Sequence, residues 1–339
     1  MLKKAVLWEK VESGKVRCGL CAHRCVIGQG KFGLCGMREN SGGELYTHAY
    51  GKVIAARPDP VEKKPFYHFL PGTEVYSVAA IGCNLRCAFC QNWTISFLSA
   101  EEKSHAGTMA SPEKIVEEAE KASCAGISYT YTEPTVFFEF AYETAKIAKQ
   151  RGLSNSFVTN GFMTEEAIEI ISPYLDAANV DLKFFRDASY REICKGRLDP
   201  VLRSIRSLKK RGVWVEVTTL LIPGKNDSEE EIGDIASFLS ETGSDIPWHI
   251  SRFRPDNLYG DIPSTPDSTL SLAAEIGRKK GLKYIYTGNA DILTDTRCPE
   301  CGASLIEREG FCSRVMPDLR ENGVCGVCGT VISGIWTKK

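Results

Sequence analysis

The chain has 339 residues, long enough to bury the core of one large α/β barrel with smaller appendages. With 42 Lys and Arg against 43 Asp and Glu the formal net charge is -1, which argues against a general pull toward nucleic acid or anionic lipid and favours a small-molecule or protein substrate. No stretch approaches the roughly 18 apolar residues of a membrane span, and the opening MLKKAVLWEKVESGKV has no continuous apolar run, so a cytoplasmic protein with no membrane partner is expected.

Taken in chain order, residues 1–74 carry a first set of cysteines (Cys18, Cys21, Cys25 and Cys35) and then the proline-punctuated YGKVIAARPDPVEKKPFYHFLPG, which reads as loop with short strands. From residue 75 short β-rich runs alternate with amphipathic helices, the pattern of βα units on a parallel sheet. Strands are predicted at 75–81, 126–131, 154–159, 177–182, 213–222 and 248–253, with a further run at 283–288 as a candidate seventh. Helices are predicted after Ser111-Pro112, from Pro134 to Gly152, near Thr164, on both sides of GRLDP, from Ser228, and from about Asp267. These elements make a partial (β/α)6 TIM-like barrel over 75–290, between a Cys-rich N-terminal module (1–74) and a C-terminal module (291–339). In such barrels the site lies where the strands end, so polar residues there matter most.

Fourteen cysteines in a reducing compartment point to metal rather than to disulfides. The loop after the first barrel strand, GCNLRCAFCQNW, carries Cys83, Cys87 and Cys90 with no fourth cysteine before Cys124. Three thiolates can hold three irons of a [4Fe–4S] cubane and leave the fourth open to a non-protein ligand, as chemistry at a cluster requires. The competing reading is a zinc site completed by a remote residue. Cys124, Cys194 and Cys312 fall outside every set and read as small buried hydrophobes.

Cys83, Cys87, Phe89 and Cys90 resemble the CxxxCxΦC signature of the radical S-adenosylmethionine (SAM) superfamily. The resemblance implies a cluster whose open iron is chelated by SAM, with reductive cleavage of SAM to a 5′-deoxyadenosyl radical that abstracts hydrogen from the substrate. Phe89 can pack beside the adenine. TYTEPT (130–135) resembles the family's Gly-Gly-Glu-Pro segment, with Tyr131 and Thr132 in place of the glycines, and it implies Glu133 as acceptor for the methionine ammonium. The residue-level alternative for Glu133 is a carboxylate stabilised by a helix N-terminus. VTNG and DLK resemble pyruvate formate-lyase activating enzymes, which places Asp181 and Lys183 at the ribose hydroxyls and carboxylate of SAM with Asn160 nearby; Gln91 of the cysteine loop and Thr132 of TYTEPT are further candidate SAM contacts. His249 matches a histidine that contacts the nucleoside in those enzymes; by itself a strand histidine is commonly a satisfied core residue.

CPECG (Cys298, Cys301) and CGVCG (Cys325, Cys328) are two knuckles with the spacing of a structural zinc ribbon. The N-terminal CGLCAHRCVIGQGKFGLCGMR supplies four thiolates, with His23 as a further donor, for either zinc or a second iron–sulfur cluster able to relay electrons. Across nearly the whole chain these motifs together resemble the AmmeMemoRadiSam-system radical SAM enzymes, relatives of the activating enzymes. That resemblance implies hydrogen abstraction from a protein or peptide partner, with Memo-like or AMMECR-like proteins as candidates and a flavodoxin or ferredoxin as reductant. Radical modification of a small molecule, and a non-catalytic iron–sulfur scaffold or electron carrier, are the alternatives.

Overall fold

The computed structural model describes residues 2–98, 106–290 and 292–338. Its centre is a nine-stranded sheet. In chain order the main strands are β1 (Lys52–Pro60), β2 (Glu74–Ala80), β3 (Gly126–Tyr129), β4 (Ser154–Thr159), β5 (Ala177–Asp181), β6 (Trp214–Leu221), β7 (Trp248–Arg252) and β8 (Ile285–Gly288). From β2 to β8 each strand lies parallel to the next in sequence, so the sheet runs through seven parallel strands. Ile285–Gly288, the candidate seventh strand, therefore joins the sheet. β1 runs antiparallel along β2, with the short strand Thr108–Met109 outside it.

The connecting helices are α1 (Pro112–Lys121), α2 (Phe138–Gln150), α3 (Glu165–Ile171), α4 (Leu198–Lys210), α5 (Glu229–Gly243) and α6 (Asp267–Lys279). Three of them start where a hydroxyl can replace a missing backbone partner: Ser111 accepts from Lys114 N, Thr164 from Ala167 N and Ser228 from Glu231 N. Their apolar faces cover the sheet, as with Ile115, Val116 and Ala119 of α1. One start differs from expectation. α2 begins at Phe138 rather than at Pro134, because Pro134–Phe137 forms a turn.

Both flanking modules are tied to the sheet. β1 falls inside the expected 1–74 module yet belongs to the central sheet, so the stretch expected as loop with short strands contains a nine-residue strand. The first cysteine loop docks on the loop after β4: Ala22 N donates to Phe162 O at 3.1 Å and Thr164 N to Leu20 O at 3.2 Å. At the other end, Thr296–Arg297, Ser304–Glu309 and Cys312–Val315 form a three-stranded antiparallel sheet. It is joined to the barrel through Tyr67–Leu70, where Ile335 N donates to His68 O and Leu70 N to Ile335 O, each at 2.7 Å. Cys124 and Cys194 are buried as expected, whereas Cys312 is exposed on a strand of this small sheet. No helix among the described residues is long and apolar enough to cross a membrane.

Candidate active site

In a parallel strand the side chains of residues i, i+2 and i+4 share a face, so the inward face of each barrel strand climbs from floor to mouth. At the mouth these faces surround a cavity of about 320 Å³. Cys83, Cys87 and Cys90 enter it from the loop after β2, beside Phe89 and Gln91. Thr132 and Glu133 come from the end of β3, Asn160 from β4, and Asp181 and Lys183 from β5. Ten of the eleven residues expected at the cluster and SAM thus face one space, His249 being the exception.

The sulfur of Cys83 already has donors: Leu85 N lies at 3.4 Å and Asn160 Nδ2 at 3.6 Å. N–H groups aimed at a thiolate suit a cluster ligand, since hydrogen bonds to sulfur help set a cluster's potential. Asn160 is fixed for this task, its Nδ2 also donating to Asn84 Oδ1 at 2.8 Å and its Oδ1 accepting from Phe162 N at 2.9 Å.

Glu133 is 1% exposed. Oε1 accepts from Thr135 N (3.0 Å), Thr135 Oγ1 (2.6 Å) and Thr159 Oγ1 (2.8 Å), and Oε2 from Asn160 N at 2.8 Å. Burial pushes its carboxyl above the ordinary range, against the pull of these donors. The helix-dipole alternative loses its basis, because α2 starts five residues later. Lys183 Nζ pairs with Asp181 Oδ2 at 2.9 Å; burial disfavours the ammonium, but the Asp181 carboxylate opposes it and the lysine's pKa is raised.

The glycine substitutions in TYTEPT have a structural answer. Tyr131 takes a left-handed φ of 64°, the conformation a glycine would supply freely. Its ring is held between Lys64 Nζ at 4.2 Å and Arg57 Cζ at 5.6 Å, and its hydroxyl donates to Asp59. Thr132 Oγ1 donates to Ala80 O at 2.5 Å, which turns that side chain onto β2.

His249 is a correction. It is the second residue of β7, at the floor, and does not line the cavity. Nε2 is 2.6 Å from Glu216 Oε2, and both residues are almost fully buried. Glu216 also accepts from Tyr67 N (3.0 Å), His68 N (2.9 Å) and Trp214 Nε1 (3.0 Å), so its carboxylate is committed to protein donors at the floor. Ser251, two residues on, does reach the cavity, as do Thr218 and Leu220 of β6 and Lys63 and Lys64. Strand periodicity signalled the first three; the two lysines stand in EKKPFYHFLPG, a motif of the family resemblance that assigned them no role.

The C-terminal cysteines converge. Among the described residues, Cys298, Cys301, Cys325 and Cys328 have ligand atoms all within 4.8 Å of one another, and no other set of three or more His, Cys, Asp or Glu closes to that spacing. The four N-terminal cysteines surround a separate small cavity with Leu20, His23 and Arg38.

Comparison with known proteins agrees with this geometry. The model of the Radical SAM superfamily matches residues 78–239. An uncharacterised protein of Methanocaldococcus jannaschii is 43% identical over 334 residues, covering 98% of this chain and 99% of its own. A pyruvate formate-lyase-activating enzyme of Clostridium pasteurianum is 26% identical over 194 residues, covering 52% of this chain and 77% of its own. In fold, the chain is similar to Streptococcus suis SuiB bound to S-adenosylmethionine, with a TM-score of 0.51, 15% identity, and coverage of 68% of this chain and 53% of that one. The chain carries a Radical SAM domain at residues 78–239 and is an enzyme.

Proposed function

We propose that Cys83, Cys87 and Cys90 hold a [4Fe–4S] cluster with one open iron position, and that the remaining space of the mouth receives SAM. When bound, the pair supplies one-electron reductive cleavage of SAM to methionine and a 5′-deoxyadenosyl radical, which abstracts hydrogen from a substrate. The observation that carries this reading is three thiols sharing one cavity with a buried carboxylate held by four donors; among the described residues no fourth cysteine lines that wall, since Cys194 meets Cys87 but is fully buried outside the cavity.

The chain's own residues then bind and orient. Glu133 accepts from the methionine ammonium, with four protein donors fixing the direction of its oxygens. Asp181 and Lys183 offer an acceptor to the ribose hydroxyls and a cation to the SAM carboxylate. Phe89, 4% exposed, gives the adenine an apolar wall. Gln91, Thr132 and Asn160 complete the rim.

The likeness to activating enzymes supports a protein or peptide partner as the source of the hydrogen, Memo-like or AMMECR-like proteins being the first to try, with a flavodoxin or ferredoxin as reductant in the cytoplasm. The reading keeps the three-part division at 1–74, 75–290 and 291–339, with β1 of the first part lent to the barrel. It also assigns a structural zinc ion to Cys298, Cys301, Cys325 and Cys328, since four ligands about 2.3 Å from one ion sit about 3.8 Å apart. The pairs Cys298–Cys328 and Cys301–Cys325 lie at 3.5 and 3.7 Å.

The test is anaerobic reconstitution with iron and sulfide, reduction with dithionite in the presence of SAM, and chromatography for 5′-deoxyadenosine. Its formation is expected; reduced, iron-loaded protein that makes none ends the proposal. Cys301→Ala should lower zinc content and thermal stability while leaving 5′-deoxyadenosine formation in place.

A further inference from the structure

We infer that Cys18, Cys21, Cys25 and Cys35 hold a second [4Fe–4S] cluster, closed by four thiolates, which exchanges single electrons with the mouth cluster across a shared wall. The identity of this cluster stands by itself; the exchange rests on the function proposed above.

The chain contains its own control for what a zinc site looks like. The C-terminal thiols close to single-ion spacing, whereas the N-terminal four do not, although they line one cavity. A cubane places its ligands at the corners of a body larger than one ion, so its thiolates stand further apart. The cavity is walled by Leu20, Ile27 and Val136 and closed by Gly33, where a Cβ would lie 3.7 Å from Cys25 Sγ and 3.2 Å from Ile27 Cδ1.

A second observation points into the same space. Arg38 lines the cavity and is 2% exposed, and its Nε has no hydrogen-bond partner among the described residues. Its two terminal nitrogens are engaged, Nη2 with Glu139 at 2.5 Å and Nη1 with Val6 O at 3.3 Å. An unmet buried donor costs stability, and the sulfurs of an anionic cluster are the acceptors it lacks.

The two cysteine sites lie back to back. Arg86 bridges them, Nη1 donating to Cys83 O at 2.7 Å and Nη2 to Leu34 O, next to Cys35, at 3.1 Å. His23 of the N-terminal loop donates from Nε2 to Asn84 O at 2.8 Å, one residue from Cys83. Gly82 shows how thin the partition is: with φ 104°, a Cβ there would stand 2.8 Å from Met37 Cγ and 3.6 Å from Cys35 O. Such a partition suits outer-sphere transfer. In the step itself the closed cluster goes from its 1+ to its 2+ core while the open cluster goes from 2+ to 1+; no bond or proton moves, and a flavodoxin- or ferredoxin-type donor restores the electron.

The test uses the full chain, loaded anaerobically with iron and sulfide. The unmodified protein should hold about eight irons, and the triple variant Cys83→Ala/Cys87→Ala/Cys90→Ala about four with about four sulfides. On reduction the variant should show an electron paramagnetic resonance signal that added SAM leaves unchanged. In the fully reduced unmodified protein the two paramagnets should broaden one another, and the variant should lack that broadening. Should the variant not fold, Mössbauer spectra of the unmodified protein decide the matter, because SAM should perturb the iron of one cluster and leave the other alone.

A chain with about four irons, all lost in the triple variant, together with a second zinc ion, overturns the inference and leaves the proposed function standing. Two clusters without magnetic coupling overturn the exchange. A variant that keeps four irons, in a protein whose unmodified form cleaves no SAM, upholds the second cluster and removes the proposed function instead.

Discussion

Glu133 and Glu216 are both glutamates stripped of water inside the same barrel, one at the mouth and one at the floor. Burial drives both carboxyls upward, but the outcomes differ. Glu133 remains raised despite its hydroxyl and amide donors. Glu216 ends below the ordinary range, because His249, His68 and the Tyr67 amide outweigh burial. Glu216 is closed on all sides by protein, whereas Glu133 faces open space beside three thiols. A buried acid is therefore not a functional mark in itself; what its partners leave unfilled is.

The sharpest way to break this contrast is to remove the mouth's chemistry alone. Cys87→Ala should reduce 5′-deoxyadenosine formation at least about a thousandfold, with circular dichroism unchanged; retained cleavage would remove the three-thiol site. Next comes the floor. Glu216→Gln should cost about 3–5 kcal/mol in urea unfolding, since it leaves buried donors facing an uncharged group. SAM affinity of the folded fraction should stay within about twofold. If affinity falls tenfold with stability intact, the floor pair touches SAM after all.

Glu133→Gln should weaken SAM binding of the folded fraction about 30-fold, close to 2 kcal/mol, besides a loss in unfolding from the donors left facing an amide; calorimetric titration that finds equal affinity would sink its assigned role. The smallest effect is set by pH. Burial holds the His68 imidazole down at about 4, with Arg308 and His249 pushing the same way and Glu216 opposing. Between pH 6.5 and 4 the unfolded chain takes up a proton that the folded chain refuses, so stability falls as pH falls. About 2 kcal/mol should be lost from pH 7.5 to pH 5. Below that window Glu216 adds a loss of its own as it protonates. His68→Phe should flatten the pH 7.5 to 5 part of the profile; an unchanged slope would contradict the assignment.

The sequence made much of this architecture readable where side-chain chemistry is local. Ser111, Thr164 and Ser228 cap the helices they announce, and the apolar runs of β2 to β8 lie where alternation with helices puts them. The cysteine loop was legible because three thiols at that spacing have few other uses. His249 was misread for a reason strand geometry supplies: residues 249 and 251 share a face, but two steps of about 3.3 Å each separate floor from mouth. Position along the strand decides, and likeness to a motif does not carry it. β1 was hidden because its stretch is polar and proline-punctuated and so reads as loop, and the place of the lysines at 63 and 64 beside the mouth depends on a contact remote in sequence. Asp59, which pairs with Lys64 at 2.9 Å, also receives the hydroxyl of Tyr131, seventy-two positions away.

That last clasp has an energetic consequence. A loop of two glycines would enter binding as a mobile segment, and any molecule settling against it would have to freeze it. Here the aromatic ring and its cationic cage have immobilised the backbone beforehand, so an arriving ligand meets a surface already set in its bound shape and keeps more of its contact energy as affinity.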